Sequence, residues 1–247
     1  MVFGKTHTGI RRKENEDNFV CNQKASRCVL AVSDGMGGHN AGAVASKVVI
    51  SAIEDYAQKH DMFENTAKMV KGAISYANEI VFLQACSHKE RAGMGATVVV
   101  AVVSGRKAVI GNLGDSRAYV VSKNSIIQIT DDHSYVNELV KNGLITKEEA
   151  QIHPKKNEIM KAVGIGNEVF PDIFEVNFKT DEALLLCSDG LTNMVSDERI
   201  LQIMNEYDNE EMMVDKLIDE ANLNGGMDNI TVVIKKFHGR NKQKNKE

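Results

Sequence analysis

The sequence predicts an α+β fold in which two packed, mostly antiparallel sheets carry helices on their outer faces. Three observations point there. Short runs rich in Val, Ile and Leu follow one another closely, as in 96–129, across gaps that admit hairpins but not helical crossovers. Longer segments between the runs repeat apolar residues at helical spacing. Strand candidates at both ends of the chain enclose pairs of such helices.

Taken in order, the strand candidates are 18–22, 27–33, 96–103, 107–113, 117–121, 125–129, 172–178, 183–188 and 229–236, each bounded by turn residues. In the first helical segment Ala45, Val48, Val49, Ala52, Ile53 and Tyr56 form one apolar stripe. Ala67, Val70, Ile74, Ala77 and Val81 do the same in the second. A third helical region, about 134–150, is broken at Asn142-Gly143 and restarts at Thr146, whose pairing with Glu149 is a capping-box pattern. Val214, Leu217, Ile218 and Ala221 mark a last helix, with Asp208 and Glu211 as its capping pair and Asn224-Gly225-Gly226 as its stop. Pro154 and Pro171 bracket a polar, glycine-containing segment that reads as a surface excursion.

The bulk properties exclude several classes. The chain has 247 residues, 43% hydrophobic and 26% charged, enough for one large domain or two small ones. A formal charge of −4 argues against nucleic acid as the main partner. Cys21, Cys28, Cys86 and Cys187 have no C-x-x-C spacing, and no stretch is apolar and long enough to cross a membrane. The expectation is a cytoplasmic protein with reduced thiols and no membrane partner.

The chemistry is concentrated at strand ends. "VLAVSDG" (29–35) and "LLLCSDG" (184–190) both drive an apolar run into Ser-Asp-Gly, placing Asp34 and Asp189 at strand tips. Asp115 follows another apolar run, Asp17 opens one and Asp228 precedes one. Asp-Gly is a common turn, and each site alone reads best as a turn. Five together read better as a cluster on one rim. Clustered carboxylates raise one another's pKa and need a counter-charge, which divalent cations supply. An all-oxygen set suits Mg²⁺ or Mn²⁺, and Gly35 has no side chain to keep its carbonyl from a metal. Arg11, Arg12 and Lys13, just before Asp17, offer a phosphate clamp. "GMGGHNAGAVAS" lacks the Gly-Lys-Ser/Thr ending of a P-loop, "GIGNEV" lacks the third glycine of a dinucleotide fingerprint, and no Gly-x-Ser-x-Gly occurs.

With these residues in view, the chain resembles the metal-dependent serine/threonine protein phosphatases of type 2C, in their compact bacterial form. The segments that carry the resemblance are "THTGIRRKENED" (6–17), "VSDGMGGHNAGAVAS" (32–46), "GMGATVVVAVV" (93–103), "GNLGDSRAYV" (111–120), "ITDDHSYVNELVKNGLIT" (129–146), "HPKKNEIMKAVG" (153–164), "LLLCSDGLTNMVSD" (184–197) and "GGMDNITVVI" (225–234). They come in the family's order and span nearly the whole chain.

The resemblance implies a four-layer α-β-β-α sandwich with a two-metal centre at one end of the sheets. It implies that Asp34 bridges two Mn²⁺ or Mg²⁺ ions, that Gly35 ligates through its carbonyl, and that Asp189 and Asp228 hold the other side. Asp17, with Glu16, acts mostly through water. Asp115, with Asp189, corresponds to a looser third-metal site. Arg12 takes the place of the phosphate-binding arginine, and Asn229 steadies the last metal aspartate. Residues 1–238 form one catalytic domain with a flap at about 133–170, and 239–247 form a basic, disordered tail. Met36 stands where some eukaryotic members have a histidine; His39 comes three residues later and caps the next helix in related chains, so the general acid stays unassigned. Lys161 stands where many bacterial relatives have arginine.

The function implied is hydrolysis of phosphoserine and phosphothreonine in proteins, by direct attack of a metal-bridging water. The implied partners are phosphoprotein substrates and a cognate Ser/Thr kinase, and the chain reads as a monomer. Two other readings stand beside it: a non-catalytic phosphoprotein-binding module of the same fold, and a small phosphate-ester hydrolase.

Overall fold

The computed structural model describes residues 1–38 and 41–238. Its first sheet runs in the order β1 (Val2–His7), β11 (Ile230–Lys236), β10 (Ala183–Cys187), β7 (Arg117–Val121), β8 (Ile126–Gln128). Its second runs β2 (Asp17–Lys24), β3 (Arg27–Met36), β5 (Val98–Ser104), β6 (Lys107–Leu113), β9 (Asp172–Asn177), with the two-residue β4 (Gly95–Ala96) paired to the end of β3. Among the described residues every ladder between named strands is antiparallel.

The strands read as continuous apolar runs because both their faces are buried. In β5, Val98, Val100 and Val102 join the core beneath one helix layer, while Val99, Ala101 and Val103 join the core between the sheets. In β10, Leu184 and Leu186 take the inter-sheet side, and Ala183, Leu185 and Cys187 the helix side. Leu184, Leu185 and Leu186 are 0% exposed; burying each stabilises the fold by ~1.5–3 kcal/mol.

The outer layers are helix pairs. Helices α1 (Ala41–Lys59) and α2 (Thr66–Ser87) lay Ala45, Val49, Ile53, Val70, Ile74 and Val81 on the second sheet. Helices α6 (Asp197–Glu206) and α7 (Glu210–Leu223) lay Ile200, Ile203, Val214 and Leu217 on the first. The result is the four-layer α-β-β-α arrangement. Between β8 and β9 the chain leaves the sandwich and forms α3 (Tyr135–Lys141) and α4 (Lys147–Ile152). The Thr146/Glu149 capping box is present at α4.

Several expectations need correction. Strand β1 was not foreseen, because "VFGKTH" is half polar; it is held by full register with β11, Val2 to Lys235 through His7 to Ile230. The 96–103 run is two strands that part at Thr97. Helix α6 and the short α5 (Asp189–Thr192) are additional; Ser196 caps α6 by accepting from Arg199 N–H. Helix α7 is capped by Asn209, not by an Asp208–Glu211 pair, and Asn209 accepts from Glu211 N–H. The 154–171 segment is not wholly a surface excursion: Ala162 and Val163 are buried, Val163 bridges to Ala96, and Gly164 N–H donates to Asn78. The tail 239–247 lies outside the described residues.

Candidate metal centre

Strands and strand ends of both sheets deliver the aspartates. Strands β2 and β3 are paired so that Asp17 sits directly opposite Asp34. Asp34 lies within β3 rather than at its tip, since the strand continues to Met36. From the other sheet, β10 runs through Ser188 into α5, whose first residue is Asp189, and Asp228 stands two residues before β11. Asp115 occupies the turn between β6 and β7.

Hydroxyl groups hold Asp17 in place. Its Oδ2 accepts from Ser188 Oγ and from Thr231 Oγ1, both at 2.7 Å, so one carboxylate is fixed by the residue that follows β10 and by β11 of the opposite sheet. Asp189 Oδ2 accepts from Asn193 Nδ2 at 2.8 Å. The remaining oxygens are the informative ones. Asp17 Oδ1, Asp115 Oδ1 and Asp189 Oδ1 are buried with no hydrogen-bond partner. Three orphaned carboxylate oxygens in one region are a costly arrangement unless a cation takes them up.

The electrostatics agree. Burial, with Asp189 and Asp228 nearby, pushes Asp17 up to about 7 against its two hydroxyl donors. Burial and the neighbouring Asp189 and Asp132 push Asp115 up to about 8. Asp189 rises to about 6 through burial and Asp228. Asp34 is pushed well above its ordinary range by burial and then by Asp17, Asp189, Asp115 and Asp228 in turn. The cluster is thus short of positive charge. Arg117, locked to Asp132 through Nε at 2.9 Å and Nη2 at 2.7 Å, offsets part of the deficit at Asp115 and Asp189.

Backbone packing explains the glycines. A Cβ on Gly35 would run into the Gly42 carbonyl at the start of α1, and one on Gly190 into the Asn229 carbonyl. Glu16 is held at that junction: its backbone accepts from Ser46 Oγ and from Gly35 N–H. Its carboxyl is raised by burial against the pull of Arg12.

Arg12 stands at the edge of the cluster. Its Nη2 is 2.8 Å from Asp228 Oδ2 and its Nη1 3.8 Å from Glu16 Oε2. Asn229 organises the loop that carries Arg12. Its Oδ1 accepts from Glu16 N–H at 2.8 Å, and its Nδ2 donates to the Thr8 and Glu14 carbonyls at 2.9 Å each. Its backbone N–H, not its side chain, donates to Asp228 Oδ1. His39 lies outside the described residues. Ser188, Thr231, Thr97 and Asn193 escaped the sequence reading. Thr97, whose hydroxyl accepts from Asp34 N–H at 3.0 Å, lies within "GMGATVVVAVV", a segment without an aspartate; Ser188 and Thr231 lie within the aspartate motifs and were readable there.

The donor set is carboxylate oxygen, which fits hard divalent cations. Among the described residues no three His, Cys, Asp or Glu side chains converge tightly enough to enclose an ion alone.

Comparisons with known proteins agree with this chemistry. The profile of the family described as Protein phosphatase 2C matches residues 4–219. The chain is 40% identical over 235 residues to the serine/threonine phosphatase stp of Listeria welshimeri, covering 93% of each chain. It is similar to the crystal structure of serine/threonine phosphatase Stp1 from Staphylococcus aureus, with TM-score 0.89, 38% identity and coverage of 96% of this chain and 95% of that one. It is also similar to the catalytic domain of the serine/threonine protein phosphatase PstP in complex with two manganese ions, with TM-score 0.85, 33% identity and coverage of 95% and 96%. On the order of its motifs, its layered fold and these matches, the chain belongs to the protein phosphatase 2C family.

Proposed function

We propose that this protein is a metal-dependent phosphatase that hydrolyses phosphoserine and phosphothreonine in other proteins. The observation that carries the reading is the set of aspartates joined across two sheets, with three orphaned buried oxygens and with Arg12 bonded to Asp228 at its edge. The similar proteins named above are serine/threonine phosphatases, which favours turnover over a binding module.

In this reading Asp34, the Gly35 carbonyl, Asp17, Asp189 and Asp228 hold two Mn²⁺ or Mg²⁺ ions, and Asp115 with Asp189 forms a weaker third site. Ions bound there lower the pKa of a water and offset charge on the phosphoryl group. Ser188 and Thr231 keep Asp17 from rotating out of the cluster. Arg12 uses part of its five-donor fork on Asp228 and Glu16; its remaining N–H groups orient the phosphoryl oxygens. Asn229 fixes the 8–16 loop and so the reach of Arg12. Residues 1–238 act as one catalytic domain, with 133–170 as a flap beside the site.

Its substrates are phosphoproteins, shared with a cognate Ser/Thr kinase, and it acts as a monomer. We assign it to the cytoplasm, because Cys21, Cys28, Cys86 and Cys187 are all unpaired. No helix among the described residues is long and apolar enough to cross a membrane.

The test is phosphate release from a phosphothreonine peptide with Mn²⁺ and with EDTA, set against p-nitrophenyl phosphate. Metal-dependent release from the peptide is expected. Release from the small ester alone would favour the small-ester hydrolase.

A further inference from the structure

His133 is 4% exposed and stands where three parts of the molecule meet. It follows β8, opens the segment that carries α3 and α4, and faces the turn that holds Asp115. Four hydrogen bonds converge on it. Its backbone N–H donates to the Gly114 carbonyl at 2.9 Å, and its carbonyl accepts from Met160 N–H at 2.7 Å. Its ring Nδ1 accepts from Gly114 N–H at 3.1 Å. Its Nε2 lies 3.1 Å from Asp172 Oδ2, at the start of β9.

The first ring contact fixes the second. A nitrogen that accepts from a backbone N–H carries a lone pair, so the ring proton resides on Nε2 and is donated to Asp172. Both bonds use one tautomer. The ring therefore ties residue 133, where the 133–170 segment opens, to Asp172 of β9 just past its end, and grips the residue next to Asp115. Gly114 has φ +121, and a Cβ there would meet Thr97 Cβ at 2.6 Å. The turn is thus tightly fitted between Thr97 and His133. The base of the same segment is closed by the Ser134–Ile159 bridge and by Tyr135 N–H donating to Glu158.

We infer that His133 is a positioning residue that couples the flap to the Asp115 turn, with the Gly114 bond setting the stance of Asp115 and the Asp172 bond setting the stance of the ring. This rests on the phosphatase reading for its kinetic consequence but not for its geometry. A shift of the flap moves His133 through the Met160 bond, and His133 passes the shift to Gly114, while Asp172 in β9 anchors the ring to the sheet.

Two substitutions separate the ring's bonds. Asparagine places an oxygen at the position of Nδ1 and loses the reach to Asp172. Glutamine places its amide near Nε2 and loses the Gly114 bond. Each variant is measured for Mn²⁺-dependent turnover of a phosphothreonine peptide, for Mn²⁺ binding by calorimetry, and for hydrogen exchange of the Gly114 amide. For His133→Gln we expect Gly114 exchange and kcat to change by about tenfold or more, faster and lower respectively, with KM within about threefold and the tight metal pair still bound. For His133→Asn we expect Gly114 protection within about threefold of wild type and most of the lost kcat restored. Unchanged Gly114 exchange in His133→Gln would overturn the inference. So would equal losses in both variants. If the wild type itself fails to turn over, the phosphatase reading fails separately, and the exchange arm still decides this one.

Discussion

Removing the charge of Asp17 should stabilise the metal-free protein at neutral pH while destroying its use of metal. The carboxyl is 3% exposed and is pushed from its ordinary 3.8 to about 7 by burial, with Asp189 and Asp228 adding to it. In the unfolded chain it releases its proton near the ordinary value. Between these values the folded state holds one more proton than the unfolded state, so stability falls as pH rises, and the full penalty is present above about 7. At ~1.4 kcal/mol per pH unit the penalty is ~4 kcal/mol. Asparagine keeps an acceptor for Ser188 and Thr231, but it points an unpaired N–H₂ into the place of the orphaned Oδ1, which costs ~1–3 kcal/mol. The net expectation for Asp17→Asn is a gain of roughly 1–3 kcal/mol at about pH 8 in EDTA, turning into a loss near pH 4, where the wild-type carboxyl is neutral in the folded state. Urea unfolding of both proteins in EDTA at the two pH values measures it. A variant less stable than wild type at both pH values would refute the reasoning, because it would mean that the buried carboxylate is not strained without metal.

Other expectations concern the neighbours of the cluster. Arg12→Ala should lower kcat/KM for a phosphopeptide by about 10- to 100-fold; steady-state kinetics that match wild type would move the phosphate clamp to Arg11 or elsewhere. Asp115→Ala should reduce turnover while calorimetry still detects the tight metal pair, and loss of that pair would contradict the division into core and third sites. Asn229→Ala removes three hydrogen bonds that hold the 8–16 loop. It should lower stability by ~2–3 kcal/mol in urea, and a change under ~0.5 kcal/mol would show that the loop is held by other means.

The sequence made the layered fold legible because burial on both faces leaves a plain signature. Runs such as 98–103 and 183–187 are apolar throughout, and helices α1 and α2 repeat apolar residues along one stripe. It did not reveal β1, whose Gly4, Lys5 and Thr6 carry no such signature; a Cβ on Gly4 would meet the Phe19 ring at 2.7 Å, so that strand is specified by fit to its neighbours. Nor did it reveal α6, where Asp197, Glu198 and Arg199 hide the stripe of Ile200, Ile203 and Met204. At the site, the repeated Ser-Asp-Gly endings were visible as a pattern. What was hidden is register. Only the pairing of β2 with β3 sets Asp17 against Asp34, and only the two sheets together bring Ser188 and Thr231 onto Asp17. His133 follows two aspartates in "DDH", yet its ring bonds to Gly114, nineteen residues before it, and to Asp172, thirty-nine after it.

The most direct test of the central claim compares wild type with Asp34→Asn. Both are assayed for phosphate release from a phosphothreonine peptide in Mn²⁺, and for folding by circular dichroism. The account predicts metal-dependent turnover in the wild type and a fall of about a thousandfold or more in the folded variant. A folded Asp34→Asn protein within about tenfold of wild type would contradict a metal centre built around Asp34.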